Sequence, residues 1–394
     1  MVPSHKIYFD YAATTPVDPT VLRAMKPYFS EKFGNAGSLH SFGQEAMMAL
    51  DRSREVVANS IGADFREIIF TGSATEANNL AIGGVVKKSN IQTPRIIISS
   101  IEHESVFEVV RDLERSRAAE IIYLPVNQRG VINVKKLKKA LNERVILISL
   151  MYANNETGTI QPIREVAQII KDFKKNGPRP LFHTDAAQAF QFFSCDVSEL
   201  GIDLMTLSSH KIYGPKGVGA LYVRANNKND IGSILSGGGQ EFGLRSGTEN
   251  IPAIVGFAKA AELAANSRKL ANKRITELRG ELWRGIKKIY PKAELNGVAG
   301  SERQQQENMK TLPNILNIYF PGHKAQDLLT KFDLLGLAAS SGSACRARAV
   351  ASSHVIEALG YSKERVMSSV RLSLGRPTTK KEIACALRII KKAI

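Results

Sequence analysis

Leu204-Met205-Thr206-Leu207-Ser208-Ser209-His210-Lys211 reads as a short apolar strand that stops abruptly in hydroxyls, an imidazole and an ammonium. Tyr213-Gly214-Pro215-Lys216-Gly217 follows, a tight turn by composition. Outward from this stretch the same pattern recurs. Ile97–Ile101 leads to Glu102-His103, Leu147–Leu150 to Asn154-Asn155-Glu156, and Leu181-Phe182 to His183-Thr184-Asp185-Ala186-Ala187-Gln188. Strand candidates are Ile68–Phe70, Ile96–Ser100, Ile121–Leu124, Val145–Leu150, Leu181–Thr184, Leu204–Ser208 and Ala220–Val223. Between them Thr75–Lys88, Ser105–Arg117, Val134–Asn142 and Ile163–Asn176 carry helical periodicity. This alternation predicts an α/β fold with a mostly parallel seven-stranded sheet, covered by helices on both faces. The strand C-termini of such a sheet lie along one edge, where ligands bind. One histidine or aspartate at a strand end is an ordinary cap residue. Four chemistry-bearing strand ends together predict a composite site.

Beyond this region Pro252 to about Ile289 reads as one long helix, Gly297–Lys310 as a polar surface loop, and Asn314–Ile394 as an α+β unit. The predicted organisation is a large cofactor-binding domain over 16–251 and a smaller domain built from 1–15 with 252–394. The chain of 394 residues has net charge +17. Its lysines fall mostly on solvated helix faces, as in Lys135-Lys136-Leu137-Lys138-Lys139, so nucleic acid is not the expected partner. No apolar run approaches the ~20 residues of a membrane span. Met1–Pro16 has neither a signal-peptide nor a transit-peptide pattern, which predicts a cytoplasmic protein. Three cysteines, Cys195, Cys345 and Cys385, form no disulfide framework and no zinc spacing. Cys195 and Cys385 are expected to be structural, Cys385 as a small buried hydrophobe. Cys345, in Ser340-Ser341-Gly342-Ser343-Ala344-Cys345, has small flexible neighbours and is the one expected to react.

These residue types suit amine chemistry on pyridoxal phosphate (PLP). That cofactor needs a lysine for its Schiff base, an aspartate to keep its ring nitrogen protonated, and anion donors for its phosphate. Lys211, Asp185 and the turn Thr71-Gly72-Ser73-Ala74-Thr75 meet those needs.

At this point the chain resembles the class V aminotransferase-like PLP enzymes, with the aspartate aminotransferase-like fold, and within them the cysteine desulfurases of iron–sulfur cluster assembly. The resemblance rests on Tyr8–Pro16, Thr71–Asn79, Glu102-His103, Asn154–Gly158, His183–Gln188, Ser208–Gly217, Gly237–Thr248, Ser340–Cys345 and Ser368–Arg376. It implies that Lys211 carries the cofactor, that His103 stacks on its ring and moves protons, and that Asp185 and Gln188 bind the ring nitrogen and phenolic oxygen. It implies a phosphate site of Ala74, Thr75, Ser208 and His210, with Thr248 supplied by the second subunit of a homodimer. Asn155 and Arg371 would take the carboxylate of L-cysteine. The Cys345 thiolate would attack the substrate sulfur and carry a persulfide to an acceptor protein such as a cluster scaffold, or toward tRNA thiolation.

Three segments depart from the family pattern. Arg346 and Arg348 stand where long-loop desulfurases have small polar residues, and two readings stay open. They lower the Cys345 pKa and favour an acidic acceptor, or they are solvated charges. Asn35-Ala36-Gly37-Ser38 replaces an Asn-Pro pair, implying a local backbone change only. The chain ends at Ile394, without the longer tail with which some relatives dock a scaffold. Alternatives are a selenocysteine lyase or another PLP β-lyase on the same fold, and a non-catalytic basic binding protein that touches tRNA.

Overall fold

The computed structural model describes residues 6–173, 180–297, 311–342 and 353–394. Cys345, Arg346, Arg348 and nearly all of the predicted Gly297–Lys310 loop lie outside the described residues. The strands are β1 (Ile7–Tyr8), β2 (Ile68–Thr71), β3 (Arg95–Ser99), β4 (Glu120–Leu124), β5 (Val145–Ser149) and β6 (Leu181–Asp185). They continue with β7 (Leu204–Ser208), β8 (Gly219–Val223), β9 (Glu294–Leu295), β10 (Ile315–Tyr319), β11 (Leu337–Ala338) and β12 (Ser369–Ser373).

Seven of them form one sheet in the order β2-β8-β7-β6-β5-β3-β4. Pairing is parallel from β7 to β4, and β8 runs antiparallel to both its neighbours. Every position of β6 and β7 is buried, as continuous apolar runs under helices on both faces require. Each strand candidate is found within one residue of its expected end. The helices differ more at their C-termini. Glu104–Arg115 stops short of Arg117, which turns to φ 58° and cannot continue the helix. Val134–Ala140 stops where Leu141 becomes extended.

The 39-residue helix Ile251–Ile289 starts as expected, with Pro252 in its first turn and Asn250 accepting the Ala253 amide. Near its end Gly285 lets the helix Lys380–Ala393 approach, since a Cβ there would stand 2.4 Å from Leu387 Cδ1. Outside the large sheet, β9, β10 and β12 form an antiparallel sheet in the order β12-β10-β9, and β1 pairs in parallel with β11. Asn35–Ser38 is a local turn in which Asn35 Oδ1 accepts the Gly37 amide. Cys195 is buried as expected. Cys385 is not: it is half-buried, on the helix flank where Arg388 Nη2 stands 2.9 Å from its Sγ. Among the described residues no helix is long and apolar enough to cross a membrane.

Candidate active site

The C-terminal ends of β2, β3, β5, β6 and β7 open onto a cavity of about 220 Å³, walled by Lys211, Asp185, His103, Ser208, Asn155 and Arg371. Parallel pairing aligns the ends of β3, β5, β6 and β7, and two successive antiparallel pairings through β8 bring β2 back to the same direction.

Lys211 ends a 3₁₀ turn that follows β7. Its Nζ donates to the carbonyl oxygens of Ala12 at 2.6 Å and Ala13 at 2.8 Å. The N-terminal segment is held there by a second set of bonds. The Thr15 amide and hydroxyl both donate to the His210 carbonyl, at 3.0 and 2.9 Å, and Thr15 Oγ1 accepts the Tyr213 amide at 2.9 Å. The turn is tight: Tyr213 takes φ 69°, and a Cβ on Gly214 would fall 2.1 Å from Ser209 Oγ. A role for the Ala12 and Ala13 carbonyls was not foreseen from sequence, because backbone acceptors leave no side-chain signature.

Asp185 closes β6. Its Oδ1 accepts the Ala187 amide and its Oδ2 accepts Asn78 Nδ2, both at 2.9 Å. These bonds orient the carboxylate at the cavity wall. His103 caps the helix Glu104–Arg115 by accepting the Ser105 amide on Nδ1 at 3.1 Å. A neutral ring accepting at Nδ1 keeps its proton on Nε2. Burial lowers the His103 pKa, and the nearby Lys211 charge lowers it further while Asp185 opposes both. His183, bound to Ser149 Oγ at 2.8 Å and Thr206 Oγ1 at 3.0 Å, is buried and pushed down to about 4. It braces three neighbouring strands beneath the site.

The opposite end of the cavity fits a phosphate. Ser208 Oγ is buried and has no hydrogen-bond partner among the described residues. Ala74 and Thr75 begin the helix Ala74–Lys88, whose first amides have no intrahelical acceptor. Gly219 on β8 makes the cradle: a Cβ there would lie 2.7 Å from the Ser73 carbonyl carbon and 2.8 Å from the Ala74 nitrogen. His210 also lines this cavity, its Nδ1 3.1 Å from Thr14 Oγ1. Burial pushes its pKa down to about 4.

Arg371 enters from β12, outside the large sheet. It donates to Asp10 Oδ1 at 2.8 Å and to the Asn155 carbonyl at 2.9 Å, and its buried Nε has no hydrogen-bond partner among the described residues. Gln188 lines the cavity and donates to the Ala12 carbonyl at 2.9 Å. Thr248 does not line the cavity and is exposed on this chain. Cys345 lies outside the described residues, but Gly342, three positions before it, is on the cavity wall. Glu102 and Glu156 are further buried carboxyl groups beside the site, and the sequence reading gave them no role. Their signal was faint: acidic residues directly beside His103 and Asn155.

The family model for aminotransferase class-V matches residues 7–385. A protein named cysteine desulfurase IscS from Dictyoglomus turgidum is 42% identical over 389 residues, covering 99% of this chain and 94% of the relative. A solved structure described as a NifS-like protein superposes with a TM-score of 0.89 at 34% identity, covering 98% of each chain. Another, described as SspA in complex with cysteine, superposes with a TM-score of 0.78 at 34% identity, covering 95% of this chain and 100% of that one. The lysine and aspartate at adjoining strand ends, the unpartnered Ser208 hydroxyl beside a helix N-terminus and this match along nearly the whole chain agree, and the chain belongs to the aminotransferase class-V family.

Proposed function

We propose that this chain is a PLP-dependent cysteine desulfurase: it takes sulfur from L-cysteine, releases L-alanine, and carries the sulfur as a persulfide on Cys345. The observation that carries the reading is one cavity joining Lys211, the braced Asp185 carboxylate and the unpartnered Ser208 hydroxyl beside a helix N-terminus. The name borne by the relatives favours desulfurase over selenocysteine lyase.

Lys211 holds the cofactor, Asp185 its ring nitrogen, Gln188 its phenolic oxygen, and Ala74, Thr75, Ser208 and His210 its phosphate. When bound, the cofactor supplies an electron sink for the substrate α-carbon. The chain's own groups do the rest. Arg371 and Asn155 orient the substrate carboxylate. The Lys211 amine would accept the α-proton, with the neutral His103 exchanging protons beside it. The Cys345 thiolate forms the new S–S bond as the substrate Cβ–Sγ bond breaks. The electron pair of that bond stays on the substrate carbon skeleton, which takes up a proton at Cβ, regains one at Cα and leaves as alanine.

The persulfide then passes to an acceptor protein for iron–sulfur cluster assembly or tRNA thiolation. The working unit is a homodimer in which Thr248 completes the partner's phosphate site. Exposed apolar side chains at Phe29, Phe33, Leu39, Phe42 and Met48 favour such a contact. The large unit spans 16–251, the small one joins 1–15 to 252–394, and the cytoplasm is the proposed compartment.

The test is to load the protein with PLP, add L-cysteine, and measure alanine and sulfide beside Cys345→Ser. Alanine production undiminished in that variant overturns the assignment of Cys345. Faster turnover of selenocysteine with no cysteine turnover would establish the lyase instead.

A further inference from the structure

Glu156 is 3% exposed, and its backbone is tied on both sides. Its amide donates to Asn154 Oδ1 at 2.9 Å, and its carbonyl accepts Asn317 Nδ2 at 3.2 Å. The side chain is aimed at two residues that border 343–352. Ser353 Oγ donates to Glu156 Oε2 at 2.5 Å. A Cβ on Gly342 would stand 2.6 Å from that same oxygen, and Gly342 takes φ +90°, so only glycine fits both the contact and the backbone there. One carboxylate oxygen therefore meets both borders of the segment that contains Cys345.

Each border is also tied to the cavity wall. Ser340 exchanges backbone bonds with Arg371 at 3.2 and 2.6 Å, and Ser340 Oγ accepts the Gly342 amide at 3.1 Å. Ser353 caps the helix His354–Ala358 through the Ile356 amide at 3.1 Å, and His354 Nε2 lies 3.0 Å from the Glu102 carbonyl, next to His103. A buried carboxyl is a costly way to accept one hydroxyl, because burial penalises its charged form. Serine bound to a backbone carbonyl would cap that helix as well. The arrangement makes sense as a registration device: it fixes the two borders relative to each other and to Asn155, the residue before Glu156.

We propose that Glu156 is a positioning residue for sulfur transfer: its Oε2, by holding Ser353 and seating Gly342, sets where Cys345 meets the substrate. The proposal rests on the desulfurase reading. Its effect falls on the step that uses Cys345, not on cofactor or substrate binding.

The experiment compares PLP-loaded Glu156→Ala, Ser353→Ala, their double variant, Glu156→Gln and Cys345→Ser with the parent protein. Three readouts are taken: alanine formation, the change in cofactor absorbance on adding L-cysteine, and peptide-mapped iodoacetamide labelling of Cys345 without substrate. In Ser353→Ala and Glu156→Ala, kcat is expected to fall roughly tenfold, as small misplacements of a reacting group do. The half-saturating cysteine concentration from the absorbance change stays within about twofold, and labelling of Cys345 changes about threefold or more. The double variant loses no more than the worse single one, because both remove one interaction. Gln retains an acceptor for Ser353, and kcat stays within about threefold of the parent.

Parent-like kcat in both alanine variants overturns the proposal, as do losses that multiply in the double variant. Loss of substrate-induced absorbance in step with kcat also overturns it, since Glu156 would then shape binding. Should Glu156→Ala not fold, Ser353→Ala and Glu156→Gln still decide the question through kcat and labelling. Full activity in Cys345→Ser would instead remove the reading on which the proposal stands.

Discussion

Asp10 and Arg371 meet in a 2.8 Å ion pair at the edge of the cavity, though 361 positions separate them in the chain. The Arg371 side chain is 3% exposed and the Asp10 side chain 18%. An isolated bridge from Asp10 to Ser373 lays the N-terminal segment along β12 and brings the pair together. Asp10 thereby fixes the plane of the guanidinium before any substrate arrives. A planar fork matches a carboxylate, and a point charge matches it less well. Arg371→Lys is expected to raise the half-saturating concentration of L-cysteine by about tenfold or more, with a smaller change in kcat. Asp10→Asn keeps an acceptor and is expected to cost about threefold in the same quantity. Steady-state alanine formation against cysteine concentration checks both. A fall in kcat alone would place Arg371 in the chemistry rather than in binding.

Gly219 predicts a cofactor phenotype from a residue that touches no substrate. Its missing Cβ leaves room for the Ser73–Ala74 peptide, with the Leu207 carbonyl oxygen 2.9 Å away on the other side. Those neighbours are backbone, so they cannot step aside as a flexible side chain would. Gly219→Ala must push the Ser73–Ala74 turn or β7 outward. PLP affinity, titrated by the cofactor's visible absorbance, is expected to fall about tenfold. Unchanged affinity would mean that the turn is not where the phosphate binds.

Much of this was readable in the sequence because parallel strands announce themselves twice, by continuous apolar runs and by the polar residue that ends each run. Lys211, Asp185, His103 and Asn155 were found that way, and the structure brings all four to one cavity. Arg371 was named by resemblance alone. No periodicity foretells that β12, from a different sheet, reaches the same wall. The clamp of Lys211 by Ala12 and Ala13 was hidden for another reason: carbonyl oxygens are present at every position, and only the fold selects two. Helix ends were misplaced at Arg117 and Asn142, where backbone angles rather than side-chain pattern stop the helix.

Glu102 gives the molecule a pH signature. Its carboxyl is fully buried, accepts Ser99 Oγ at 2.5 Å, and stands 3.0 and 2.9 Å from the Met151 amide nitrogen. Burial pushes its pKa from 4.5 to about 8, with Asp185 adding to the rise and the hydrogen bonds opposing it. Between those two values the folded protein holds a proton that the unfolded chain has released. Stability from this group is therefore complete below pH 4.5 and declines as pH rises toward 8. Glu102→Gln removes the titration and keeps an acceptor. The difference in stability between variant and parent should grow with pH across that window, by at most about 1.4 kcal/mol per pH unit, and level off above it. Chemical unfolding of the cofactor-free proteins at a series of pH values measures it. A difference independent of pH would show that Glu102 stays charged in the folded protein. His183 and His210, both pushed down to about 4, act in the opposite sense. Their contribution is present above pH 6.5 and is lost as pH falls toward 4.

Phe33 and Phe42 lie with ring centroids 5.7 Å apart, 66% and 53% exposed, and Leu39 beside them in sequence is 93% exposed. Single exposed apolar residues are ordinary, but a group of large ones in one stretch marks a contact surface. With Thr248 exposed and absent from its own chain's cavity, the proposed homodimer predicts that a second copy covers the patch and completes the phosphate site. The double variant Phe33→Glu, Phe42→Glu places two charges where a dimer would have to desolvate them. Light scattering is expected to give twice 43.1 kDa for the parent and 43.1 kDa for the variant. If Thr248 of one chain serves the other, PLP affinity falls when the dimer is lost, and Thr248→Val in an intact dimer weakens PLP in the same direction but by less. A variant that is monomeric yet binds PLP as tightly as the parent would leave the dimer standing and remove Thr248 from the shared site.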